Sequence, residues 1–453
     1  MKKGWRVIFI VCLVVFVAGC SAAGRSDDGA GETADAGAVQ DGGAGETADA
    51  GAVQNGGFVA ADGDGAWDKS ERGTDHAGGV QAENGRGTDD GAHDGNERGT
   101  RGLAPKWREM KPEGTLPLSY ATQFQADFYE GGYSLITIEK VGRFLVVPKG
   151  RALPEALDED ITVLQQPLDC IYLVATSAMD FFRVLDGIGN IRLSGTDADG
   201  WYIREAADAI RRGDMLYAGK YSAPDYERII GEGCNLAIES TMISHAPEVK
   251  EQMERFDIPV LVERSSYESH PLGRMEWVKL YGLLLGKEDE AAAFFEEQTS
   301  DIPNLSGVKG EKPRVAFFSI NTKGIVTVRK SGDYVSKMIE LAGGAYVFPD
   351  LGDDRALSTM NMEMERFYGG AREADIIIYN STIEGELRSL EELLEKSVLL
   401  ADFKAVKEQR VYCVGQNLFQ ESTGCGQMIR DMNRIFTGEA ASEEELTYLY
   451  PLR

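Results

Sequence analysis

The chain predicts an α/β fold of two parallel-sheet lobes joined by one long helix and preceded by a disordered linker. Three observations lead there. From about Trp107 onward, short apolar runs alternate with segments whose apolar residues recur at three and four spacing. That alternation points to largely parallel sheets, in which each parallel pair needs a crossover connection. Between the two alternating halves runs Gly273 to Gln298, GRMEWVKLYGLLLGKEDEAAAFFEEQ, a stretch of good helix formers with helical apolar spacing. Ahead of both halves, residues 21–105 consist of Gly, Ala, Asp, Glu and Thr with almost no large apolar side chain. Such a segment cannot bury enough surface to offset the entropy of ordering.

The first twenty residues are MKKGWRVIFIVCLVVFVAGC. Lys2, Lys3 and Arg6 make a basic start, Val7 to Val17 an apolar run, and Val17-Ala18-Gly19-Cys20 a small-residue site ending in cysteine. The segment resembles a bacterial lipoprotein signal, departing from it at Val17, where that signal prefers leucine. The resemblance implies diacylglyceryl transfer to the Cys20 thiol, cleavage before it, and a mature chain lipid-anchored to the cell membrane on its extracytoplasmic side. An uncleaved anchor and an ordinary secretory signal are the alternatives. The apolar run is shorter than the ~20 residues a membrane span needs.

Within the linker, Gly29 to Gly42 (GAGETADAGAVQDG) recurs as Gly43 to Gly56, differing only at Asp41 against Asn55. The repeat lacks the leucine or aromatic positions of a stacked solenoid and reads as duplicated linker. As a flexible coil, residues 21–105 would reach on the order of 50 Å. A net charge of −27 repels polyanions, which excludes nucleic acid as a partner. With Cys12 removed and Cys20 acylated, Cys170, Cys234, Cys413 and Cys425 remain. No CxxC occurs, so a zinc ribbon or thioredoxin-type site is unsupported. Buried thiols are the plain expectation, with pairing of Cys170 to Cys234 or Cys413 to Cys425 left open.

The expected units are an N-terminal lobe over residues 106–270, a linking helix over 271–300 and a C-terminal lobe over 301–453. Strands of the first lobe are read at Phe144 to Val147, Cys170 to Thr176, Leu236 to Glu239 and Pro259 to Val262. Its helices are read at Met179 to Leu185, Trp201 to Arg211, Ala223 to Ile230 and Ala246 to Phe256, with Ser222 or Asp225 capping the third. In the second lobe the strands are Arg314 to Ser319, Ile325 to Val328, Ile376 to Tyr379 and Arg410 to Val414. Helices there are read near Tyr334 to Leu341, Met362 to Ala371, Leu390 to Leu394 and Gly424 to Thr437.

In this order the pieces CIYLVATSAMDFFRVLDGIGNIRLSG, YAGKYSAPDYERIIGEGCNLAIES, LYGLLLGKEDEAAAFFEEQ, YVSKMIELAGGAYVF, ADIIIYNS and RVYCVGQN resemble the helical-backbone class of substrate-binding proteins of ABC importers. That class includes binders of ferric siderophores, haem and cobalamin. The resemblance implies a monomeric receptor, without enzymatic activity or cofactor, that captures a metal chelate between its lobes. It would deliver the chelate to an ABC permease and its ATPase. A ferric siderophore comes first, with haem or a corrinoid next.

Ligands of open α/β sheets bind at the carboxyl ends of strands. In the first lobe those positions are Ser177 and Met179, Lys220 and Tyr221, Ser240 and Thr241, with Tyr267 beyond. In the second they are Lys323, Arg329, Tyr334 and Gln416. Cations there suit an anionic chelate and tyrosines a planar one. Each has a plainer reading: the cations as solvated charges, Met179 as core. By position, the resemblance further implies that Glu248 and Glu365, with Glu363 a close rival, face arginines of the permease.

The chain has four histidines, and His76 and His93 fall in the linker. His245 and His270 alone cannot build a three-histidine free-metal site, which favours a pre-chelated metal. GxSxG, Walker, HExxH and GxGxxG patterns are absent. The rival readings are a surface hydrolase or cell-wall protein on a two-lobed α/β scaffold, and a receptor that binds the solute but feeds no permease.

Overall fold

The computed structural model describes residues 104–305, 307–352, 359–382, 385–439 and 446–453. The lipoprotein-like signal, Cys20 and the linker repeat lie outside the described residues.

The sequence expectations hold no sheet ahead of Phe144, and the structure has one. Strands β1 (Pro112–Thr115), β2 (Phe124–Tyr129), β3 (Tyr133–Ile138), β4 (Gly142–Val147) and β5 (Ile161–Gln165) pair in chain order, antiparallel except for β4 with β5. Both faces of this sheet are covered. Leu135 and Leu145 pack with Trp107 and Met110 on one side, while Ile136, Ile138, Phe144 and Val146 join the main core on the other. Burial on both faces makes β3 read as an almost continuous apolar run, and the period-two signal that marks a half-buried strand is lost.

Lobe one follows: β6 (Ile171–Leu173), α1 (Met179–Val184), β7 (Ile191–Ser194), α2 (Arg204–Arg212) and β8 (Leu216–Tyr217). A short ribbon of β9 (Gly219–Lys220) and β10 (Ala223–Pro224) comes next, then α3 (Tyr226–Gly231), β11 (Leu236–Ser240), α4 (Pro247–Arg255) and β12 (Val260–Glu263). The main sheet runs β12-β11-β6-β7-β8 with every pair parallel, as expected. Of the two expected caps of α3, Asp225 serves: its carboxylate accepts the Arg228 N–H at 3.1 Å. Alternation along β11 sends Leu236 and Ile238 into the main core and Ala237 toward the outer cluster with Val260 and Met253.

The linking segment is helical but is not one rod. It forms α5 (Pro271–Glu276), α6 (Val278–Leu285) and α7 (Glu288–Thr299). Gly286 takes a left-handed conformation, φ 66°, and ends α6 there. The chain then folds back. A Cβ on Gly282 would lie 2.7 Å from the Ala291 Cβ, and the Lys279 ammonium lies 4.7 Å from the Phe295 ring centroid, so α7 packs antiparallel along α6. Glycines that only lower helix propensity in a sequence count thus create a helical hairpin in the structure.

Two buried carboxylates, Glu268 ahead of α5 and Glu276 at its end, fasten the loop between β1 and β2 to the start of the linking segment. Glu276 accepts the backbone N–H of Ser119, Tyr120 and Ala121 at 2.7–2.9 Å, and the Lys279 ammonium at 2.8 Å. Glu268 accepts the N–H groups of Thr122 and Gln123 and the Trp277 indole N–H at 2.9–3.0 Å. Hydrogen bonds to an ionised acceptor are roughly twice as strong as neutral ones, and here they also satisfy the backbone N–H groups of a partly exposed loop.

Lobe two contains β13 (Arg314–Ile320), β14 (Val326–Arg329), α8 (Tyr334–Leu341), β15 (Ala345–Tyr346), β16 (Thr359–Met362) and α9 (Met364–Ala371). It continues with β17 (Ile376–Tyr379), α10 (Leu390–Lys396), α11 (Lys404–Lys407), β18 (Val411–Val414), α12 (Cys425–Thr437) and β19 (Leu449–Pro451). Strands β15, β13, β17 and β18 are mutually parallel, but β14, β16 and β19 run antiparallel to their neighbours. The expectation of a parallel second sheet therefore holds only for its centre. The reason lies in the turn at Asn321 to Gly324, whose Asn321 carboxamide accepts the Lys323 and Ile325 N–H groups. So short a link can join only antiparallel strands.

The lobes share one core. Inner faces of all three large sheets and helices α1, α5, α6, α8 and α12 meet around Trp277, Tyr281 and Met275, which are fully buried.

Candidate functional site

The carboxyl edges of the two lobes meet. The loop after β18, Gln420 to Thr423, lies against the loops that follow β6 and β7 and is fastened by buried polar groups. The Gln420 carboxamide accepts the Tyr202 N–H at 2.7 Å and donates to the Gly200 carbonyl at 2.7 Å. The Ser422 hydroxyl donates to the Ser177 carbonyl at 2.8 Å. Asp180, fully buried on α1, accepts the N–H and hydroxyl of Thr423 at 2.8 and 2.6 Å through one oxygen and pairs with Arg183 through the other. Tyr202 and Phe419 remain exposed beside this contact.

On the lobe-one side, Ser177 is half-buried and its hydroxyl donates to Glu263 at 3.0 Å. Ser240 caps the turn Thr241–His245 by accepting the Met242 N–H at 3.3 Å, which places Ser240 and Thr241 at the end of β11. Tyr267 carries the Arg264 guanidinium 4.2 Å from its ring centroid. Lys220 is exposed and Tyr221 half-buried at the tip of the β9–β10 ribbon. Met179 is a correction: it is fully buried in the main core and offers no surface to a ligand.

On the lobe-two side, Lys323 is exposed on the β13–β14 turn at the carboxyl end of β13, and Gln416 is half-buried, its N–H donating to Glu386 at 3.1 Å. Arg329 is a second correction. Because β14 is antiparallel to β13, its end lies back from the carboxyl edge, beyond the Phe318–Val328 rung. There Arg329 is largely buried and paired with Asp333 at 3.4 Å. Burial opposes its charge, but Asp333 with Tyr334 and Tyr346 outweighs this and raises its pKa. Tyr334 does reach the inter-lobe region: the Arg274 guanidinium lies 3.9 Å from its ring centroid, with Arg329 5.8 Å away.

Arg264 and Arg274 were not among the sequence candidates. Neither makes an ion pair among the described residues; Arg264 donates to the Gln123 carboxamide at 3.1 Å, and its buried Nε has no acceptor. Unpaired, half-buried guanidinium groups stacked on tyrosine are suited to hold a carboxylate or other planar anion. A charged residue inside the apolar helical pattern at Gly273 to Leu285 was the available signal for Arg274. His270 caps α5 by accepting the Leu272 N–H at 3.2 Å and stacks on Tyr120; burial and then Lys337 depress its pKa. All four described cysteines are free. Among the described residues no His, Cys, Asp or Glu cluster is arranged to hold a metal ion. Two surface concavities, of ≈520 Å³ along Thr115 to Asp127 and ≈600 Å³ between Arg183 and Arg212, contain none of the edge candidates.

Glu248 and Glu365 are both exposed, each in the first turn of its helix, α4 and α9. Glu363 precedes α9 and is also exposed.

No family model matches the chain. It is 24% identical over 294 residues to an uncharacterized lipoprotein of Methanocaldococcus jannaschii, covering 61% of this chain and 68% of that one. A second uncharacterized lipoprotein of the same organism is 25% identical over 213 residues, and the match spans about half of each, 45% and 53%. Among solved structures, the periplasmic haem-binding protein HutB of Vibrio cholerae superposes with a TM-score of 0.48 at 15% identity, over 59% of this chain and 98% of its own. The TroA-like periplasmic binding protein FepB of Veillonella parvula gives a TM-score of 0.48 at 14% identity, over 64% and 96%. These structural neighbours are periplasmic binding proteins, and the sequence relatives are named as lipoproteins.

Proposed function

We propose that this chain is the extracytoplasmic solute-binding protein of an ABC importer, held to the cell membrane by lipid on Cys20, and that it carries an anionic metal chelate rather than catalysing a reaction. The observation that supports this reading is the meeting of two carboxyl edges across one polar contact, together with Arg274 stacked on Tyr334 and Arg264 on Tyr267, neither guanidinium having an ion-pair partner among the described residues. Cations over aromatic rings fit an anionic ligand with flat faces, a ferric siderophore first and haem next; a corrinoid stands beside haem through its flat faces alone. Ser177, Ser240, Thr241, Lys220, Tyr221, Lys323 and Gln416 would complete the contact set.

Thermal unfolding of purified residues 21–453 with ferric tris-catecholates, haemin and cyanocobalamin tests it. A ligand at a hundred times its Kd should stabilise the protein by about 2.7 kcal/mol, and Arg274→Ala should remove most of that gain. No shift with any of them would overturn the ligand class. Docking on the permease would use Glu248 and Glu365, whose exposed carboxylates suit arginine partners. Charge reversal at both should abolish uptake in cells and leave ligand affinity unchanged; a loss of affinity would contradict the docking role.

A further inference from the structure

Glu263 is the last residue of β12, at the carboxyl edge where the lobes meet, and only 2% of its surface is exposed. One carboxylate oxygen accepts the Ser177 hydroxyl at 3.0 Å and the other accepts the Ser265 N–H at 2.6 Å. Ser177 in turn receives the Ser422 hydroxyl from lobe two on its carbonyl. Glu263 thus stands directly behind a residue of the inter-lobe contact. The other groups that act on it electrostatically are Arg274 on α5 and Tyr281 on α6, whose buried hydroxyl has no hydrogen-bond partner among the described residues.

We propose that Glu263 is a proton-linked positioning residue of this site, so that capture of an anionic ligand is accompanied by uptake of a proton onto its buried carboxylate. The proposal rests on the reading of the inter-lobe edge as the ligand site. Its physics is Coulombic. When ionised in the ligand-free protein, the carboxylate accepts Ser177 and Ser265 and is favoured by the positive charge of Arg274, with which it forms no ion pair. An anion brought to Arg274 offsets that attraction and repels a second negative charge behind it, in surroundings where water screens poorly. Protonating Glu263 removes the repulsion: a solvent proton adds to one carboxylate oxygen, and no other bond is made or broken. Burial already pushes this carboxyl above the usual range, against the pull of Ser265, Ser177 and Arg274, which is the direction a nearby anion would push it further.

Calorimetric titration in two buffers of different ionisation enthalpy measures the protons taken up. With haemin or a ferric tris-catecholate, the wild-type protein should take up as much as about one proton per ligand, and affinity should tighten by up to about tenfold for each pH unit lowered through the window. Neutral cyanocobalamin should show neither effect. Glu263→Gln should abolish proton uptake while still binding the anionic probe. Should that variant not fold, Ser177→Ala serves: loss of the hydroxyl donor raises the carboxyl's pKa, and the pH window should move to higher pH. Binding without proton uptake in the wild type, or uptake that persists in Glu263→Gln, overturns the inference alone. Absence of binding by every probe overturns the site reading, and the inference with it.

Discussion

Asp180→Ala will lower the unfolding free energy by about 3 kcal/mol, the low end of what breaking a buried charge pair costs. Asp180 is fully buried, and all four of its described partners converge on its two oxygens: the Nε and a terminal nitrogen of Arg183, and the N–H and hydroxyl of Thr423. Removing the carboxylate leaves the Thr423 donors without an acceptor inside the inter-lobe contact. It also leaves the Arg183 guanidinium unpaired, although about a third of that side chain reaches solvent and softens the loss. Because Thr423 belongs to lobe two and Asp180 to lobe one, the variant should also lose protection of the Gln420 to Gly424 amides in hydrogen exchange. Urea melts and exchange rates test this, and a change below 1 kcal/mol with unaltered exchange would contradict it.

Glu239→Leu should do the opposite, and by an amount set by pH. Glu239 is fully buried on β11, on the face that carries Tyr172 and looks toward Tyr226. Among the described residues neither of its carboxyl oxygens has a hydrogen-bond partner. Burial pushes its pKa up to about 8 from an ordinary 4.5. Below pH 4.5 both folded and unfolded chains hold the proton and the group imposes no pH-dependent penalty. Between 4.5 and 8 the unfolded chain releases it while the folded chain keeps it, so stability falls by about 1.4 kcal/mol per pH unit. By pH 8 the accumulated penalty is on the order of several kcal/mol. Leucine has no proton to lose and suits an apolar neighbourhood, so its advantage should be largest near pH 8 and smallest near pH 4.5. A stability difference between the two proteins that is the same at both pH values would refute this account.

Much of the secondary structure was legible because its signals are local. Tyr334–Leu341 and Ile376–Tyr379 match their expected bounds to the residue, and the parallel order of lobe one follows from strand and helix alternation. What failed did so for definite reasons. Strand β3 hid because both its faces are buried, the linking rod broke because Gly286 could adopt a left-handed conformation, and Arg329 left the edge because a short turn reversed β14. Met179 followed the plainer reading, since a helix residue beneath a sheet edge points inward.

The sequence by itself determined the alternating strands and helices, the helical character of the link between the lobes, and the residue types available at each strand end. These depend on spacings of two to four residues, which a linear reading contains. Only the tertiary structure decided that Asp180 meets Thr423, 243 residues away, that Glu276 holds Ser119 to Ala121, and that Arg274 stands against Tyr334 with no ion pair among the described residues. Such contacts arise when packing brings distant segments together and removes water from polar groups. The partner a buried charge then finds, or lacks, depends on geometry that no local pattern encodes.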